Sequence, residues 1–113
     1  MRVSGQPLTP VLQNGETVVF DSNAILRYID ANVKREPRLY AEDYDAMKRI
    51  EGWEAWTRIN LGPPVGMLFG QYFAESRDEA VIAHANQSYA KACAEIEAEL
   101  GVGEALVGDA ITA

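Results

Sequence analysis

Side chains that could do covalent or acid–base chemistry are few in this sequence, and they are scattered. Cys93 is the only cysteine and His84 the only histidine. A thiol nucleophile needs a base within hydrogen-bond reach and a third group to orient that base, and neither residue has such a partner by spacing. Cys93 lies one helical turn from Tyr89 and three residues from Ile96, so it reads as a buried structural thiol. His84 stands among polar neighbours and reads as solvated. Glu95, Glu97 and Glu99 alternate along a helical stretch, which spreads them around the helix and makes a poor metal site. One cysteine excludes an internal disulfide and a multi-cysteine cluster, and any zinc site would be left carboxylate-rich, against the metal's usual ligands. Trp53, Trp56 and Met67 offer apolar surface, at a spacing that suits a helical core. Asp21-Ser22 reads first as a helix cap. There a carboxylate and a hydroxyl precede a helical run, beside N–H groups that a helix start leaves unpaired.

The elements that would position these residues follow from local pattern. Val11-Leu12 and Thr17-Val18-Val19-Phe20 flank Asn14-Gly15, and Asn-Gly supplies the two φ > 0 residues of a type I′ turn, so a β-hairpin is expected. Gly5, Pro7 and Pro10 put the preceding segment in a loop. Ile25, Tyr28 and Ile29 recur at helical spacing, with Asp21 or Ser22 as the cap, and this helix should stop near Asn32. Lys34-Arg35-Glu36-Pro37 reads as an exposed linker. Beyond Asp43 the chain reads as helical. Tyr44, Met47, Ile50, Trp53 and Trp56 make a broad apolar face, broken at Gly62-Pro63-Pro64 because proline lacks a donor and clashes with the preceding turn. A helix should resume over 65–73, where Met67, Leu68, Tyr72 and Phe73 could share a face. The strongest helix is expected over 77–100, with Ile82, Ala85, Tyr89, Ala92, Ile96 and Leu100 in step, Asp78 and Glu79 at its N-terminal dipole, and Gly101 and Gly103 ending it.

The chain has 113 residues, 48% hydrophobic and 24% charged, enough for a core without staples. Its net charge of −7 argues against general nucleic-acid binding, which needs a basic surface. Residues 1–40 are nearly neutral, with five basic and four acidic side chains, whereas 41–113 carry five basic and thirteen acidic. An anionic small ligand therefore meets less repulsion in the first third. The longest uncharged run, sixteen residues between Arg58 and Glu75, contains Gly62, Pro63, Pro64, Gly66 and Gly70, too short and too broken to span a bilayer. The start of the chain lacks the apolar stretch of a signal peptide, and a cytoplasmic protein is expected.

Three pieces, in this order, resemble the glutathione transferase superfamily. The first comprises Thr9-Pro10-Val11-Leu12, the Asn14-Gly15 hairpin and Asp21-Ser22-Asn23-Ala24-Ile25-Leu26-Arg27-Tyr28-Ile29, which resemble the back half of that family's thioredoxin-like domain. The second is Leu39-Tyr40-Ala41-Glu42-Asp43 followed by Trp53 and Trp56, similar to the start of its helical domain. The third, Leu106-Val107-Gly108-Asp109-Ala110-Ile111-Thr112-Ala113, resembles the segment leading into that domain's central helix. The resemblance implies an α+β, mostly α-helical chain: residues 1–36 as a partial thioredoxin-like segment and 37–113 as a partial all-α domain, incomplete at both ends.

What the resemblance implies about function is specific. Thr9 would precede a cis-Pro10 and offer its backbone N–H and C=O to the cysteinyl residue of glutathione. Ser22 and the helix N-terminal amides would take the γ-glutamyl carboxylate, and Asp21 the ammonium. Leu8 stands where the family carries a basic or amide residue for the glycyl carboxylate, with Gln6 the nearby substitute. Trp53, Trp56 and Met67 would line a pocket for a small hydrophobic electrophile. Glutathione would be a co-substrate, with no resident cofactor or metal. The family's catalytic Tyr, Ser or Cys would lie upstream of Arg2, so no catalytic residue is assigned. A non-catalytic binding or protein-interaction module is the alternative. The exposed edge of the hairpin and the uncovered helix faces imply a homodimer.

Overall fold

The computed structural model describes residue 5, residues 7–33 and residues 36–113. It is α+β and mostly helical, as expected. Strands β1 (Val11–Asn14) and β2 (Thr17–Phe20) form a two-stranded antiparallel sheet, followed by α1 (Ser22–Asn32), α2 (Tyr44–Asn60), α3 (Gly62–Phe73) and α4 (Glu79–Leu100). Among the described residues no helix is long and apolar enough to cross a membrane.

The hairpin forms where Asn14-Gly15 places it, but its turn is shifted by one residue. Asn14 pairs with Thr17 in the ladder, so the central residues are Gly15 and Glu16, and only Gly15 takes a left-handed φ, at 59°. Glycine at the first central position fits a type II′ turn rather than the expected I′. Asn14 is held in the strand by its side chain, whose Nδ2 donates to Tyr28 Oη at 3.0 Å.

The two prolines at 63 and 64 act as helix starters. Leu61 keeps near-helical dihedrals between α2 and α3 and is the single residue that separates them. Helix α3 begins at Gly62, three residues before the expected start, because the first-turn N–H groups that proline lacks would be unpaired in any case. Asp78 caps α4 by accepting from Ala80 and Val81 N–H at 2.9 and 3.2 Å, and Gly101 ends it at φ 57°.

The core is small. Ile50, Tyr40 and Val107 are buried, with Leu26, Leu39, Met47, Trp53 and Leu106 packed around them. Pro64 of α3 and Ala85 and Ala92 of α4 are also buried, small residues that let these two helices approach closely. The C-terminal tail closes the core: Ala113 N–H donates to Leu39 O at 2.9 Å, and Arg49 Nη2 to Leu106 O at 3.1 Å. Several residues of the expected apolar faces point outward instead. Tyr44 is 71% exposed, and Met67, Tyr72 and Phe73 are exposed, leaving Leu68 as the inward member of that set. The resulting chain is a plate of 47 × 46 × 18 Å, with a radius of gyration of 17.2 Å against about 13 Å for a compact chain of this length.

One ion pair, its carboxylate buried and its guanidinium partly exposed, fastens the end of α1 to the segment that leads into α2. Asp30 accepts from Arg38 Nε and Nη2, and from Leu39 N–H at 2.7 Å. The Arg38 hydrogen bonds hold the Asp30 carboxyl below its ordinary range, against the opposing effect of burial.

Candidate functional site

The hairpin register brings the two halves of the expected glutathione contacts to one corner. Val11 is paired with Phe20 at the end of the ladder, so Pro10 and Asp21 follow at that same end, on strands about 5 Å apart. The Thr9–Pro10 peptide bond is cis. Thr9, Pro10, Asp21 and Ser22 are all exposed. Leu8 is exposed beside them, while Gln6 lies outside the described residues.

Asp21, not Ser22, caps α1. Its carboxylate accepts from Asn23 N–H at 3.0 Å and Ala24 N–H at 3.4 Å, so those two amides are already engaged. Ser22 is the first residue of the helix, and its hydroxyl and N–H have no partner among the described residues. Asp21 holds φ 74° and ψ 129°, a conformation that costs a non-glycine residue about 1–3 kcal/mol. Replacing Asp21 by alanine keeps the strained φ and removes the cap, so a loss of about 1–2 kcal/mol is expected. Asp21→Gly relieves the strain and should cost less than half as much. Thermal unfolding of the two variants checks the order.

A second polar cluster was not legible as such in the sequence. Glu54 accepts from Arg27 Nη2 through one oxygen and from Tyr40 Oη through the other, both at 2.6 Å. The Arg27 guanidinium lies 4.3 Å from the Tyr40 ring centroid. Burial and the bond to Glu54 push the Tyr40 phenol above its ordinary value, so Tyr40 remains a protonated donor and is not a phenolate. Burial disfavours the Arg27 charge, but the hydrogen bond and charge of Glu54 outweigh it and raise the pKa. This cluster ties α1 to α2. The available signal was a pair of opposite charges set in apolar runs, Arg27 after Leu26 and Glu54 after Trp53.

Trp53 and Trp56 meet edge to face, with ring centroids 5.3 Å apart. Together with Arg49 and Gly52 they line a shallow hollow of about 190 Å³. Met67 belongs to a different cleft of about 290 Å³ between α3 and α4, with Pro63, His84, Ser88 and Lys91. The structure thus joins the two tryptophans and sets Met67 apart. His84 is exposed, as expected. Cys93 is half-buried rather than buried, and its hydrogen bond with Tyr89 raises the Tyr89 phenol.

No protein-family model matches the chain. It is 28% identical over 109 residues to glutathione S-transferase F10 of Arabidopsis thaliana. The likeness is to a glutathione S-transferase. The matched region covers 91% of this chain and 51% of that protein, so the chain spans about half the length of the curated relative it matches.

Proposed function

We propose that this chain carries the γ-glutamyl and cysteinyl contacts of a glutathione site, in a transferase-like protein that conjugates the glutathione thiolate to small electrophiles. The observation that carries this reading is the corner itself: the ladder register sets Thr9-Pro10 beside Asp21-Ser22, with the hydroxyl and N–H of Ser22 uncommitted. In this reading the Thr9 backbone pairs with the cysteinyl residue as an added strand would. Ser22 donates its hydroxyl and N–H to the γ-glutamyl carboxylate, near the positive end of α1. The Asp21 carboxylate, which uses Oδ1 for both amides, offers Oδ2 to the ammonium. Trp53 and Trp56 supply apolar surface for a hydrophobic electrophile, with Met67 in the adjoining helical layer. Thiol activation needs a donor close to the sulfur, and no residue described above is assigned that role. Glutathione is a co-substrate here, and the working unit is a homodimer.

Ser22→Ala tests this reading without unfolding the site, because Asp21 holds the cap. Calorimetric titration should show glutathione binding weakened about tenfold, the value of one hydrogen bond to a charged group, at unchanged helix content. Unchanged affinity would remove Ser22 from the site.

A further inference from the structure

The turn of the hairpin, at the end away from the Thr9–Ser22 corner, brings an electrophile and a free nucleophile together. A side-chain amide carbon is a weak electrophile, and the backbone nitrogen of the next residue can close a five-membered ring on it. That attack needs room and backbone freedom at the next residue, which glycine provides. Asn14 is the asparagine that glycine follows. Residues 13–17 are all exposed, so water and hydroxide reach them. Gly15 has φ 59°, and a Cβ built on it would meet nothing within 4 Å. Among the described residues its N–H has no hydrogen-bond partner. The ladder closes with Asn14 opposite Thr17, and Gln13 Nε2 donates at 3.2 Å to Gly15 O, which belongs to the following peptide unit.

At the other four asparagines, Asn23, Asn32, Asn60 and Asn86, the fold holds that nitrogen. Ala24 N–H, after Asn23, donates to the Asp21 carboxylate at 3.4 Å. Val33 N–H, after Asn32, donates to Ile29 O at 2.7 Å, and Leu61 N–H, after Asn60, to Thr57 O at 2.9 Å. The amides of Asn32 and Asn60 are themselves bonded to Tyr28 O and Trp56 O, at 2.7 and 3.0 Å. Asn86 and Gln87 lie inside α4, where each N–H bonds to the carbonyl four residues back. Asn14 thus differs from the rest in its neighbour, its exposure and its free nucleophile.

We infer that Asn14 is a site of spontaneous deamidation. Gly15 N gives its proton to solvent hydroxide and bonds to Asn14 Cγ. The Cγ–Nδ2 bond breaks, and the nitrogen takes a proton from water and leaves as ammonia. Water then opens the ring at either carbonyl, leaving aspartate or isoaspartate at position 14. Both products add one negative charge to the net −7 and remove the Nδ2 donor that ties β1 to Tyr28 Oη. Isoaspartate also carries the main chain through the former side-chain carbon. The extra atom breaks the Asn14–Thr17 pair that closes the ladder. None of this depends on the glutathione reading.

Peptide mapping with fragment mass spectra, on the full chain kept for days in mildly alkaline buffer, tests the site. Position 14 should gain about 1 Da as NH₂ is exchanged for OH, in two separable products, with ammonia released in step. The gain should appear at least about tenfold faster than at Asn23, Asn32, Asn60 or Asn86. Asn14→Gln, whose amide lies one methylene too far for the five-membered ring, should show no such gain. The aged chain should also unfold at a lower temperature than the fresh one. An intact Asn14, or one modified no faster than the other four, would overturn the inference. An unchanged unfolding temperature in a fully modified chain would overturn its consequence for the Tyr28 tie.

Discussion

Ile50→Ala is expected to cost about 3–4 kcal/mol, a large share of the 5–15 kcal/mol that holds a typical domain together. Ile50 has no exposed surface, and among the described residues it is the large side chain buried completely. It sits where α2 meets Tyr40 of the incoming segment and Val107 of the returning tail. A cavity here loses contacts on three sides, and the thin plate offers few neighbours that could collapse into it. The tail should loosen first, since its bond from Ala113 to Leu39 spans that junction. Urea unfolding should show the loss as a lowered midpoint, with Ile59→Ala, at an exposed position, within about 0.5 kcal/mol of the parent. Equal effects at the two positions would contradict the described core.

The second large effect is expected at Glu54. Its side chain is 10% exposed while that of Arg27 is 39% exposed. Removing one partner of a fully buried pair costs about 3–5 kcal/mol, and water at the Arg27 end reduces this, so Glu54→Ala should lose about 2–3 kcal/mol. Glu54→Gln keeps the shape and an acceptor for Tyr40, and should lose about half as much. Tyr40→Phe leaves the ion pair intact and should lose about 1 kcal/mol. The ordering of the three in chemical denaturation separates an ion-pair tie from simple packing, in which Gln would match Glu.

What could be read from the sequence was local. Asn14-Gly15 between β-formers located the hairpin, Gly101 ended α4, and the apolar period gave the extent of α4 except at its start, which lies at Glu79 behind the Asp78 cap rather than at Arg77. The turn shifted because Asn14 has a long-range partner in Tyr28, which no local rule contains. Periodicity identifies an apolar face without saying whether anything covers it, and the expected shared face of Met67, Leu68, Tyr72 and Phe73 has Tyr72 and Phe73 exposed. The Arg27–Glu54 contact joins residues 27 positions apart, and only the packing of α1 on α2 creates it. At the candidate site, the residue types were legible but their division of work was not. Asp21 and Ser22 were equal candidates for the cap, and the backbone geometry gives that role to Asp21, leaving Ser22 uncommitted.

The measurement that bears most directly on the glutathione reading is an amide NMR titration of the 113-residue chain with reduced glutathione. Saturable shifts should concentrate at Thr9, Val11, Ser22 and Asn23, the corner made by the hairpin end and the start of α1. A folded chain whose amides do not move at millimolar glutathione (about −4 kcal/mol of binding at that threshold), or one whose shifts gather on α3 and α4 instead, would contradict it.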